Sequence, residues 1–234
     1  MAPQGLELVS VRKAASQGLE LLSNATHSRR FLSVLTTIQE QLRAMRIPVL
    51  LDDRRGAPSL ARVDSLSRSQ RRWLGQVALE LYFAQLLHSQ ATILDLWPSR
   101  FGIDASGDAR WNPRPFYVHW DRPFREGLCN VYKGFFFDKP ERFERGVHQL
   151  GVETSAVALL QHLGDGNQRN VRFQRSKLES TLHEMATARG PGNGSLHRNF
   201  VALGLYMMGL YALLEPLDLA FDVRSAFMRS CAER

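Results

Sequence analysis

The chain has 234 residues, 44% of them hydrophobic and 23% charged, which fits one domain with or without an appendage and excludes a disordered polypeptide. Its formal net charge of +7 is lopsided: residues 1–75 hold 12 basic and 6 acidic groups, so nearly all the excess lies in the first third. Clusters at Arg29-Arg30, Arg54-Arg55 and Arg68/Arg71/Arg72 suit the phosphates of a nucleic acid, an acidic partner or an anionic surface, and equally a solvated helical face. Arginine outnumbers lysine 26 to 4, a bias that fits a GC-rich bacterial genome and weakens any special claim for arginine.

The N-terminus, Met1 to Ser23, sets Glu7, Arg12, Lys13 and Glu20 into its apolar pattern, so it does not read as a secretory signal. Leu6, Val9, Leu19 and Leu22 outline a first helix, weakened near Gly18. Phe31, Val34, Leu35, Ile38, Leu42 and Met45 outline a second, which ends before Pro48. Ile47 to Leu51 is a short apolar piece able to extend along a core, and Asp52 to Asp64 is a linker containing Gly56-Ala57-Pro58. Residues 1–60 thus read as a basic helical hairpin with its linker, and residues 61–234 as a helical core domain. Ser67 with Gln70 forms a capping-box pattern that opens a long helix from Arg68 to Leu96, apolar on most of its circumference beyond Trp73.

Between Trp97 and Phe143 the chain concentrates 12 of its 22 aromatic residues, including three of four tryptophans. The first half, Pro98 to Trp120, reads as a long connection interrupted by Pro98, Gly102, Gly107, Pro113 and Pro115. Connections of that length usually bind or cover something. Asp121 is placed to cap a helix through Phe137, and Asp138-Lys-Pro-Glu141 to cap the next, through Leu150. A short helix from Thr154 stops at Gly164-Asp-Gly166, and Val171 to Phe173 alternates like an extended segment. Ser176 with Glu179 suggests another capping box for a helix through Arg189, and Gly190 to Gly194 is a break. Leu196 to Leu214 is a second helix apolar all round, and Asp222 is placed to cap the last one, through Cys231. Its apolar run, Phe200 to Leu214, has 15 residues against the ~20 that span a bilayer, so no transmembrane segment is expected. The expected fold is all-α: an irregular multi-helix bundle with two buried apolar central helices and a long aromatic-rich loop.

Motifs for chemistry are thin. No Glu has a His three positions later, as di-iron bundles require, and Glu144/His148 and Glu179/His183 are ordinary same-face helix pairs. His183-Glu184 opens like a zinc-protease helix, but Thr187 stands where its second His belongs. His162, Asp165 and Asn170 have the spacing of a kinase-like catalytic loop, without the glycine-rich loop, strand lysine or later metal ligand that would accompany it. His119 with Cys129 has the residue types of a base and a nucleophile and nothing more. No metal and no cofactor is implied. The two cysteines, Cys129 and Cys231, fall in expected helices and suit a reducing compartment, so the cytoplasm is the expected location. The sequons Asn24-Ala-Thr26 and Asn193-Gly-Ser195 then read as chance matches.

The aromatic connection remains. Trp111, Arg114, Phe116, Tyr117, His119, Trp120 and Arg122 combine rings that stack with cations that pair, a composition that suits a recognition surface and also a loop anchored to a core. Trp120 is expected to be buried where Asp121 begins a helix, and Trp111 to be more exposed beside the Gly107–Arg110 turn. The expected function is a non-catalytic helical protein that binds another macromolecule, a protein first of all, through the aromatic loop and the basic N-terminal region. The alternative is a small-molecule protein or enzyme with a lipid-like or aromatic ligand between the two apolar helices, using Tyr82, His88 and the Trp111–Trp120 loop as lid.

Overall fold

A computed structural model describes residues 29–52, 59–152, 170–187 and 198–231. The expected helices at 6–22 and 154–163, the Arg54-Arg55 cluster, Asp165 of the kinase-like spacing and the 190–194 break lie outside the described residues.

Seven α-helices account for most of the described chain: α1 (Arg29–Ala44), α2 (Arg68–His88), α3 (Arg122–Phe136), α4 (Pro140–Leu150), α5 (Arg175–Thr187), α6 (Arg198–Leu214) and α7 (Val223–Cys231). Several begin where side-chain chemistry says they should. The Ser67 hydroxyl accepts from the Gln70 N–H while the Gln70 side chain accepts from the Ser67 N–H, a complete capping box for α2. Asp121 caps α3 through the Phe124 N–H at 2.9 Å, and Asp222 caps α7 through the Ser225 N–H at 2.8 Å. Two expected caps fail. Asp138 sits at a positive φ of 55° in the turn, and α4 begins behind Lys139 without a side-chain cap. Arg175, not Ser176, opens α5; its N–H donates to the Glu215 carboxylate, a partner 40 residues away that local spacing cannot reveal.

The all-α expectation holds only as "mostly helical": of the described residues 62% are helical and 12% strand, the latter below the ~20–25% typical of globular proteins. The strands form three small sheets. β1 (Val49–Leu51) runs parallel to β4 (Ala109–Trp111), which pairs antiparallel with β3 (Phe101–Ile103). β2 (Ala91–Ile93) pairs antiparallel with β5 (Tyr117–His119), and β6 (Val171–Arg172) with β7 (Ala220–Phe221). The long connection from Pro98 to Trp120 therefore carries three short strands joined by turns. Gly107, at a φ of 87°, makes the turn between β3 and β4, and the Asp104 carboxylate holds that turn through the Ser106 and Asp108 N–H groups.

The long helix also stops early, at His88 instead of Leu96. Ser89 is extended, and its hydroxyl donates to the Gln41 side-chain oxygen of α1. Beyond it the β-branched pair Thr92-Ile93 suits a strand, and Gln85 makes the reversal stable: its side-chain oxygen accepts the Ile93 N–H at 2.9 Å. A helix side chain thus stands in for a ladder partner.

The two apolar helices do lie inside. α2 is buried almost continuously from Leu74 to Leu86, and α6 from Leu203 to Leu214 apart from Leu205 and Met208. Asn199–Leu217 passes the length and composition test for a membrane span, but 67% of it is buried within the protein, the placement of a core helix. α7 adds Phe227, edge-on to Phe83 of α2 and stacked on Phe136 of α3 at 4.4 Å. α3 and α4 form a hairpin in backbone contact: a Cβ on Gly146 would meet the Val131 nitrogen at 2.5 Å, and one on Gly134 the Phe143 nitrogen at 2.4 Å. The core also takes Phe31, Leu35, Ile38 and Leu42 of α1 and Val49 of β1, so the segment before residue 60 packs into the same apolar cluster as α2.

Candidate functional site

The aromatic segment divides by burial. Trp111, the last residue of the central strand β4, is fully buried, and its indole N–H donates to the Asp95 carbonyl at 2.7 Å. The exposure expected for it is thus corrected: the turn at Gly107 is exposed, but β4 carries its last residue back under the sheet. Trp120 is buried as expected, donating to the Thr92 hydroxyl at 2.7 Å and stacked on Phe124. Phe116 is buried too, with its carbonyl accepting the Leu94 N–H.

Arg114 is committed inward by one contact that the sequence reading missed. Its guanidinium and backbone N–H make three hydrogen bonds, 2.8–3.0 Å long, to the carboxylate of Asp95, a residue with no exposure. A bidentate guanidinium–carboxylate pair of this kind fixes geometry as well as charge. The Arg114 side chain is half exposed and its pKa rises, first through the hydrogen bonds to Asp95. The signal for Asp95 was present in the sequence: an acid between Leu94 and Leu96 in an apolar run must find a partner. Nearby, Arg110 binds Asp104 at 2.7 Å and reaches Asp52, so the hairpin is pinned by charge as well as by rings.

What remains outside is Tyr117, His119 and Arg122. Tyr117 is half buried and stacks on Phe31 of α1, with ring centroids 6.0 Å apart. His119, two residues along the same strand, is exposed and edge-on to Tyr117 at 5.5 Å. Arg122 is exposed and pairs with Glu126 one turn along α3. The Phe31 contact brings in the basic start of α1: Arg30 is exposed, and Leu32 is an exposed large hydrophobic at 51%. Phe31 was legible only as a periodic helix residue; its contact with Tyr117 of β5 is tertiary.

Tyr82 and His88, the other two candidates, do not meet. Tyr82 is buried, stacked on Tyr206 at 4.8 Å, with its hydroxyl 3.1 Å from that of Tyr132; Gln85 donates to the Tyr206 hydroxyl at 2.6 Å. Burial pushes the Tyr82 and Tyr206 hydroxyls well above their ordinary pKa and that of Tyr132 up to about 12. These rings fill the space where the two apolar helices meet. His88 is not on the core side at all: it is exposed at the end of α2, with Nε2 2.6 Å from the Ser230 carbonyl.

Catalytic chemistry finds little support among the described residues. No group of three or more side chains there is arranged to hold a metal ion. Cys129 and Cys231 are unpaired, and burial raises both thiols, Cys231 to about 11, which keeps them protonated and weak as nucleophiles near neutral pH. A comparison with known protein families finds no family model that matches this chain, and a comparison with curated proteins finds none significantly similar to it.

Proposed function

We propose that this chain is a non-catalytic helical protein that binds another protein through the face where the start of α1 meets β5. The observation that carries the reading is the Phe31–Tyr117 stack, which joins the basic N-terminal region and the aromatic segment into one surface. Tyr117 and His119 offer aromatic area there, exposed Leu32 follows Phe31 on α1, Arg30 stands as an exposed cation before it, and Arg122 is exposed in its pair with Glu126. Aromatic anchors beside arginine are the composition of interface hot spots.

A photoreactive residue in place of Leu32 or of His119, in the full chain inside the cell that makes it, tests this. Both positions should yield adducts with one and the same protein, and Glu141, exposed on α4, should not. Absence of adducts at both positions, or adducts to nucleic acid alone, overturns the reading.

A further inference from the structure

β5 is an edge strand, and the hydrogen-bond alternation of its ribbon says which groups its edge presents. Opposite residues in an antiparallel pair alternate between those that bond to each other and those whose N–H and C=O point away. The register pairs Thr92 with Val118, Ile93 with Tyr117 and Ala91 with His119. The Leu94 N–H donates to the Phe116 carbonyl at 2.9 Å, so Leu94 and Phe116 are a bonded pair. One step on, Ile93 and Tyr117 are a non-bonded pair; Thr92 and Val118 bond; Ala91 and His119 again do not. The N–H and C=O of Tyr117 and of His119 therefore point away from β2. Among the described residues no strand lies on that side, because this sheet has two strands only.

The other sheet shows what closure looks like. β3, at the edge of the three-stranded sheet, has its Ile103 carbonyl taken by the Ala61 N–H at 2.8 Å. β5 has no such cover among the described residues, and its three residues are half buried or exposed. Open backbone groups beside aromatic side chains are what strand addition uses: main-chain bonds supply affinity, and alternate side chains supply selectivity.

Charge selects the occupant. Of the cations in residues 114–126, Arg114 is held by Asp95 and Arg122 by Glu126, which leaves Arg125 against one further acid, Asp121. That acid is consumed internally, by the Phe124 N–H and by the Asn199 side-chain amide at 2.6 Å. Arg30 adds a further exposed cation from α1, beside the Phe31–Tyr117 stack.

We infer that the open edge of β5 takes an extended, acidic segment of a partner protein as an added antiparallel or parallel strand, bonded to the main chain of Tyr117 and His119. This rests on the reading of the α1–β5 face as a protein-binding surface and specifies how that surface is used.

The test uses the full chain and a fluorescent octapeptide of alternating valine and glutamate. Binding should slow deuterium exchange at the Tyr117 and His119 amides. A valine–lysine counterpart should bind at least about tenfold more weakly, as should the acidic peptide with alternate backbone nitrogens methylated. His119→Pro removes one outward N–H at a position where an edge strand tolerates proline, and should cost about tenfold in peptide affinity. If that variant does not fold, the methylated peptide decides the matter alone. Peptide binding without protection at Tyr117 and His119, or equal binding of the lysine peptide, overturns the inference. Protection of those amides that grows with protein concentration and needs no peptide identifies a second copy of this chain as the occupant, and also overturns it. If no peptide binds while photoadducts persist from Leu32 and His119, strand addition is wrong and the protein-binding face stands; loss of both removes the two together.

Discussion

β4 and β5 are three-residue strands cut from the same aromatic segment, and the fold treats them in opposite ways. β4 has β1 on one side and β3 on the other, its Trp111 is fully buried, and Arg110 beside it is tied to Asp104 and Asp52. Among the described residues β5 has β2 on one side and no strand on the other, and its Tyr117 is half buried and its His119 exposed. Composition alone does not separate an anchor from a contact surface. The number of strands on each edge decides which backbone groups stay unpaired, and the packing of each face decides which rings still face water.

The comparison breaks most readily at the anchor. Trp111→Ala should destabilise the protein by ~3–5 kcal/mol, since it empties a fully buried indole site and leaves the Asp95 carbonyl without its donor. Leu81→Ala in α2 and Leu210→Ala in α6 should each cost ~2–5 kcal/mol by the same cavity argument, both side chains being buried. Urea denaturation of the three variants measures this, and a near-neutral Trp111→Ala would remove the distinction between the strands.

The tyrosine cluster sharpens the contrast from the alkaline side. A hydroxyl whose pKa is raised by folding contributes stability below its unfolded value of ~10, and that contribution is lost as pH climbs through the folded value. For Tyr132 that value is about 12, and burial raises Tyr82 and Tyr206 well above the ordinary value too. Unfolding free energy should therefore fall steeply above pH ~10, and ultraviolet titration should show these rings ionising together with unfolding. Ionisation of all five tyrosines while near-ultraviolet dichroism stays native would contradict their burial.

At the acid end the effect is smaller. The Asp104 carboxylate is held below its ordinary pKa, chiefly by its hydrogen bond to Arg110. Its contribution is present above the unfolded value of ~3.9 and disappears as pH falls through the folded one. Asp104→Asn should thus lower the melting temperature at neutral pH, and the gap from the parent should narrow below pH ~4. A gap independent of pH would mean that the charged pair with Arg110 does not carry the effect.

The smallest changes belong to the open strand and its neighbours. Tyr117→Ala should cost about 1 kcal/mol, since only part of its ring is buried against Phe31, and Arg30→Ala less than ~0.5 kcal/mol. If Tyr117→Ala matched Trp111→Ala in thermal melts, β5 would be an anchor too.

The helical part of this fold was legible because its signals are local. Ser67 with Gln70, Asp121 and Asp222 cap the helices they precede, since a side chain two or three residues from an orphan N–H needs no tertiary partner to reach it. The site was legible as a segment and misjudged residue by residue. Tyr117, His119 and Arg122 are outside, whereas Trp111, Phe116 and Trp120 are inside and Arg114 is bound to Asp95. Prolines and glycines spaced through residues 98–115 concealed three-residue strands too short to show a period, and the burial of these rings follows tertiary packing instead of one.

The sequence by itself determined a mainly helical protein, two apolar helices at its centre, and a stretch of chain rich in rings and arginines. Those properties follow from periodicity, caps and composition within a few residues of each other. Tertiary structure decided that α2 stops at His88, that β1 lies along β4 some 60 residues later, and that Phe31 meets Tyr117. Each of these rests on a partner distant in the chain: Gln85 bonded across to Ile93 and Tyr206, Val49 set opposite Ala109, an α1 ring stacked on a β5 ring. A short strand has no stability without its neighbour, so no local pattern announces it; only the closing of the long-range pair makes it a strand at all.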